Sequence, residues 1–134
     1  MAGISGFFKS IFGICETKPL SPDLWGSEQN KVRLKLEQIP ELSQRGGAVY
    51  LKDQGLQTPV LVVRTMDDRY LAFANSCPHG KRKIDPLPGE PALRCCSVGY
   101  SKFDYEGNVL KGPAKDPLKR YDVELSGGEL VISL

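Results

Sequence analysis

The chain has 134 residues, enough for one domain that buries roughly two-thirds of its unfolded surface. Eighteen basic and sixteen acidic residues leave a net charge of +2, too balanced for a protein that wraps nucleic acid with a basic face. No apolar run approaches the roughly 20 residues of a bilayer span, and 14 glycines and 10 prolines cut the chain into short pieces that favour an all-β architecture.

From the amino end, Ile4, Phe7, Phe8, Ile11, Phe12 and Cys15 recur at helical spacing, which predicts a short amphipathic helix over residues 1–16 with one apolar stripe. Such a stripe needs cover: its own domain, a groove on a partner, or a membrane surface, for which Lys9 alone offers a thin basic face. Nothing near Met1 has the basic start, apolar middle and small-residue cleavage site of a leader. Ile14, directly before Cys15, is too large for lipoprotein processing. The expected location is cytoplasmic, with peripheral attachment to a membrane or complex left open. In a reducing compartment the four cysteines are expected as metal ligands or free thiols rather than as a disulfide framework.

Residues 17–30, with Pro19, Pro22 and the only tryptophan, Trp25, read as a linker; Ser21-Pro22 can start one helical turn, and Trp25 is an anchor against a surface. Lys31 to Leu36 alternates polar and apolar, which predicts a strand with Val32, Leu34 and Leu36 on one face. A short turn follows at Ile39 to Gln44, then a strand at Ala48 to Lys52. Pro59 to Arg64 is almost wholly apolar, as in a strand covered on both faces, and Asp67-Asp68 turns it into Tyr70 to Ala74. The chain closes with strands at Tyr121 to Leu125 and Glu129 to Leu134, joined at Gly127-Gly128.

Between these strand groups lies the stretch that carries chemistry, residues 75–104, with the only histidine and three of the four cysteines. Cys77-Pro78-His79 and Cys96-x-x-Gly99 form two loops, carried by short strands at Ala92 to Cys95 and Lys102 to Asp104. Soft thiolates with one imidazole suit zinc or iron–sulfur chemistry. Lys81, Arg82 and Lys83 put three consecutive cations on the first loop, either a solvated face or a surface that steers an acidic partner.

These two loops resemble the Rieske domain, which holds a [2Fe–2S] cluster through Cys-x-His and Cys-x-x-His turns. Cys77-Pro78-His79 matches the first turn, and Cys96 through Ser101-Lys102-Phe103-Asp104 aligns with the second. The likeness extends to Pro59–Ala74 upstream and to Gly112-Pro113-Ala114, Pro117-Leu118 and Tyr121 downstream, covering residues 31–134. It implies a Rieske-type fold of small antiparallel sheets with a two-loop subdomain, and a non-enzymatic, ferredoxin-like carrier of one electron. It also implies Cys77, His79 and Cys96 as ligands and a redox protein or larger complex as partner, docked through the loop cations and the N-terminal helix. One departure is specific: Gly99 occupies the second histidine's position and Tyr100 the following glycine's.

Three outcomes are compatible with that departure. An atypical cluster or single metal uses Cys95, Tyr100, water or a partner's residue as fourth ligand. Alternatively the site is empty, and the domain is an accessory or structural subunit, as in the small subunit of some assimilatory nitrite reductases. The third outcome is thiol catalysis on Cys77 and His79, although no acidic residue is placed by sequence to orient the imidazole. The disulfide that joins the loops in some members of the family requires cysteines at Arg82 and Val98, so none is expected between them here. Removal of residues 1–20 is expected to spare the β domain and to abolish association with a larger complex or membrane.

Overall fold

A strand built from Val60-Leu61-Val62-Val63 has no polar side to give to solvent, so both of its faces need cover. The computed structural model, which describes residues 15–97 and 100–134, places it inside a sheet with a core on either side. Val60 and Val62 pack with Val49, Leu51 and Ala72 on one face. Leu61 and Val63 pack with Tyr50, Leu71 and Phe73 on the other. The alternation is the period of two that extended backbone imposes.

Eleven strands are formed among the described residues: β1 (Trp25–Glu28), β2 (Lys31–Lys35), β3 (Ala48–Leu51), β4 (Val60–Arg64), β5 (Tyr70–Ala74), β6 (Ile84–Pro86), β7 (Ala92–Cys95), β8 (Lys102–Asp104), β9 (Val109–Lys111), β10 (Arg120–Ser126) and β11 (Glu129–Ser133). Seven of them make one sheet in the order β1-β2-β11-β10-β5-β4-β3, and four make a second, β6-β7-β8-β9. Every paired strand runs antiparallel. β10 links the two ends of the larger sheet: Arg120 and Tyr121 pair with β5, and Asp122 to Ser126 pair with β11. The smaller sheet is the loop subdomain, and its inward side chains Ile84, Leu93 and Phe103 join Leu61 and Phe73 in the second core. The all-β fold expected from the glycine and proline content is therefore the fold observed.

Two parts of the chain differ from the sequence reading. Residues 17–30, read as a linker, join the domain: Pro22–Leu24 form a 3-10 turn and β1 adds to the larger sheet, where Trp25 pairs with Leu34 in a hairpin whose turn residues Gln29 and Asn30 take positive φ. Leu20 and Trp25 are both buried in the first core. Two buried apolar side chains draw in a segment whose composition looks like tether. β6 and β9, too short at three residues to show a period, are not foreseen either; β8, equally short, is placed by its position beside the second loop.

The expected amphipathic helix falls on residues 1–14, outside the described residues; Cys15 and Glu16 have no regular structure. No helix among the described residues is long and apolar enough to cross a membrane.

Candidate functional site

The two loops stand at one end of the smaller sheet, each closed by its own backbone. In the first, the Cys77 amide donates to the Arg82 carbonyl at 2.7 Å and the Lys81 amide to the Cys77 carbonyl at 2.9 Å. So tight a return needs left-handed backbone, supplied by Gly80 at φ 88° and Lys81 at φ 58°. In the second, the Cys95 amide donates to the Ser101 carbonyl at 2.9 Å, and the Cys96 amide ties the loops together through the Lys83 carbonyl at 2.8 Å.

Successive side chains of extended backbone face opposite ways, and this separates the vicinal cysteines. Cys95 turns into the second core and shares a hydrogen bond with the Cys77 thiol. Cys96 turns away and is bonded to Cys15, 81 residues earlier in the chain, with Cα atoms 5.4 Å apart. The expectation of free thiols or ligands throughout is corrected here: among four cysteines, two form a disulfide and two, Cys77 and Cys95, are free and buried.

Burial pushes the Cys77 thiol up to about 11, and its contact with Cys95 acts in the same direction. The His79 amide, 3.4 Å from the sulfur, and the Ser101 hydroxyl oppose that shift by donating to it. Ser101 is itself fixed by accepting the Ala114 amide at 2.8 Å. The Cys77 thiol is thus protonated at neutral pH, and both sulfurs of the inner pair are packed as core.

His79 lies on the exposed crown of the first loop, with Lys81 and Arg82 beside it. Lys83 is committed to Tyr50, its ammonium 3.1 Å from the phenol oxygen and 4.9 Å from the ring centroid. Tyr100 is half-buried, with the Lys111 ammonium 4.8 Å above its ring. Gly99 is outside the described residues. Of the expected ligands, the structure brings together Cys77 and Cys95, and it takes Cys96 elsewhere.

Asp85, Arg94 and Ser101, which sequence reasoning gave no role, organise this end of the molecule. Asp85 accepts the Glu16 amide at 2.6 Å on one oxygen and the Thr17 amide at 3.1 Å on the other, and Arg94 approaches it at 3.5 Å. Together with Cys15 this makes a clasp that seats residues 15–17 against the second loop. Cys15, Asp85 and Cys96 bring potential ligand atoms within 4.8 Å of one another. The sulfurs, however, are bonded to each other and the carboxylate is engaged by two amides and a guanidinium, so the group is a clasp and not an ion cage. Arg94 did carry a signal, as a lone charge in the run Ala92-Leu93-Arg94-Cys95 demands a buried partner. Ser101 carried none.

Two loops set on a small antiparallel sheet beside a larger one define the comparison with known proteins. The sequence model of one family, the Rieske [2Fe-2S] domain, matches residues 34–122. The chain belongs to the Rieske [2Fe-2S] domain family.

Solved structures agree on this Rieske fold. The ferredoxin of carbazole 1,9a-dioxygenase from Nocardioides aromaticivorans IC177 is 25% identical, with a TM-score of 0.63 over 78% of this chain and 98% of that one. The plasma membrane Rieske protein PetC3 from Synechocystis PCC 6803 is 23% identical, with a TM-score of 0.58 over 72% and 94%. The quaternary ammonium Rieske monooxygenase CntA is 20% identical, with a TM-score of 0.55 over 70% of this chain but 30% of its own. No curated protein matches the chain in sequence.

A Rieske cluster takes two cysteines on one iron and two histidines on the other. The residues present do not fit that set. The chain has one histidine, the Cys96 sulfur is spent on Cys15, and the thiol facing Cys77 belongs to Cys95.

Proposed function

We propose that this Rieske protein is a ferredoxin-type, non-catalytic subunit of a redox complex, in which the loop site has left the two-cysteine, two-histidine ligation of its family. The observation that carries this reading is the division of the vicinal cysteines, Cys95 to a buried dithiol with Cys77 and Cys96 to a disulfide. The match over 98% of the ferredoxin of a dioxygenase, against 30% of a monooxygenase, supports a subunit that works with a separate partner. Lys81 and Arg82, exposed beside His79, give the loop face a positive edge suited to an acidic surface.

The deciding experiment is purification under argon followed by iron, sulfide and zinc analysis with a visible spectrum. Colourless, iron-free protein that folds cooperatively is the expected result. Iron and acid-labile sulfide near two each per chain, as in an intact centre, would overturn it.

A second reading, electron transfer through an atypical iron–sulfur or single-metal site, is favoured by the contact between the Cys77 and Cys95 thiols with His79 two residues on. There the ligands would be Cys77, Cys95 and His79, and bound iron or zinc would be lost in Cys95→Ser.

Attachment through the N-terminal segment is tested by deleting residues 1–14. The cut belongs there and not at residue 20, because Lys18 and Leu20 exchange backbone hydrogen bonds with Tyr50 and Leu20 fills the first core.

A further inference from the structure

We infer that the open edge of β10 is a docking site for an extended basic segment of another protein, which adds to the larger sheet as a further strand. The inference goes beyond the proposed function and does not depend on what the loop site holds.

The edge follows from the register. Of the seven residues of β10, Arg120 and Tyr121 pair with β5, and the ladder on that side stops at Tyr121 opposite Ala72. The other five, Asp122 to Ser126, are paired on one side only, with β11. Among the described strands no unpaired edge is longer; β1, at the rim of the sheet, has four residues.

The direction of the main chain is fixed from both sides. The Leu134 amide donates to the Asn30 carbonyl and the Leu36 amide to the Gly128 carbonyl, so the even-numbered residues of β11 face β2 and the odd-numbered ones face β10. Asp122 and Glu124, opposite Ser133 and Val131, therefore bond to β11, and the alternation turns the amides and carbonyls of Val123 and Leu125 the other way. The Ala74 amide, which donates to the Lys119 carbonyl at 2.9 Å, independently puts the odd-numbered residues of this strand on the β5 side. Past Tyr121 the ladder there has ended.

The side chains along the edge define what fits it. On the core side Tyr121 and Val123 are half-buried, and Leu125, next in the row, is 58% exposed. On the other face Asp122 and Glu124 are exposed across from the uncharged Ser133 and Val131. Among the described residues neither carboxylate has an ion-pair partner. A cleft of about 410 Å³, lined by Tyr70, Tyr121, Asp122, Val123 and Glu124, opens along the edge.

A strand laid against β10 extends the ladder, covers Leu125 with an apolar side chain and brings cations opposite the two carboxylates. Alternating basic and apolar residues satisfy both faces at once. A second copy of β10 does not, because two-fold pairing sets the acidic face of one strand beside the acidic face of the other. The sign is also opposite to that of the loop face, where Lys81 and Arg82 are exposed, so the two surfaces select different partners.

The test uses the full wild-type chain at low salt, with a blocked octapeptide of alternating lysine and valine as probe and hydrogen exchange as readout. At ten times its dissociation constant the peptide is expected to slow exchange at the Val123 and Leu125 amides by about tenfold, with Ser27 on β1 unchanged. The same peptide with glutamate for lysine should protect neither amide. Proline in place of each valine keeps the charge but removes the donors that face Val123 and Leu125, and should weaken binding by about tenfold or more. Asp122→Lys combined with Glu124→Lys, both exposed, should exchange the preference from the lysine peptide to the glutamate peptide. No protection at saturating lysine peptide would overturn the inference, as would equal binding of the proline peptide, which would mean ionic attraction without an added strand. Binding that survives the double charge reversal, or a dimer whose formation protects Leu125, would overturn it as well. Because the three peptides are compared on the wild-type chain, a variant that fails to fold does not remove the test.

Discussion

Asp85 and Arg94 sit directly opposite each other on β6 and β7, with side chains 3.5 Å apart that are 3% and 2% exposed. Both belong to the part of the molecule that carries the clasp, so the pair links the loop subdomain to the segment that precedes the domain. Desolvating two charges is costly, but removing the Asp85 carboxylate takes an opposite charge away from a guanidinium that stays buried. Arg94 occupies a fully buried position among the largest such side chains of the protein. Asp85→Ala is expected to destabilise by about 3–5 kcal/mol, measured by urea unfolding, and to speed exchange at the Thr17 amide. A paired replacement of Asp85 and Arg94 by apolar residues of matching volume should recover most of that loss. Equal losses in single and double variants would show that the pair is not coupled.

The inner dithiol makes a prediction about reactivity. Cys77 and Cys95 are core residues, and the Cys77 proton is held well beyond its ordinary range. A maleimide added to the native protein at pH 8 should leave both unlabelled and label them only after denaturation. Ser101→Ala withdraws the hydroxyl that donates to Cys77 and accepts the Ala114 amide. It should cost about 1–3 kcal/mol, the range for a buried donor left without its partner, as a shift of the denaturation midpoint with unchanged slope.

Gly107 is fixed by close approach of backbone. It sits at φ 91°, and a Cβ there would lie 2.3 Å from the Leu118 carbonyl oxygen, the residue whose amide donates to the Gly107 carbonyl at 2.7 Å. Gly107→Ala must displace main chain that carries Leu118 into the second core. The combined strain and repacking should cost about 2–4 kcal/mol, seen as a lowered thermal midpoint. A midpoint within a degree or so of wild type would mean that this turn relaxes freely.

Acid should loosen the β4–β5 hairpin before the cores. Hydrogen bonding from Arg45, then from Arg64, holds the Asp68 carboxyl below its ordinary value of 3.8. A lowered folded value means the stabilisation is present above pH 3.8 and is lost as pH falls through that lower value. Asp68→Asn should flatten the acid limb of stability against pH. Because the pair with Arg45 is solvent-exposed, added salt should shrink the difference between the two proteins. An Asp68→Asn curve parallel to wild type down to pH 2 would remove Asp68 from the account.

Most strands were legible because their side chains repeat. The alternation from Lys31 and the unbroken apolar run from Val60 each state which faces are wet, and β2 and β4 follow with shifts of one residue at their ends. The linker reading of residues 17–30 does not foresee Leu20 and Trp25 in the core, since an isolated apolar residue in a proline-rich stretch has no period and becomes core only when a sheet offers it a surface. In the loops, the spacing of Cys77, His79 and Cys96 identified the family but not the partner of each sulfur.

The sequence by itself determined the all-β class, the two-loop insertion and the presence of a single histidine, because these depend on residue identity, periodicity and count. Only the tertiary structure decided which cysteine faces which. Cys95 ends β7 and Cys96 begins the loop after it, and that one step sends one sulfur to Cys77 in the core and the other to Cys15. The choice depends on which side of β7 meets the second core, a packing relationship between residues distant in the chain that local pattern does not encode.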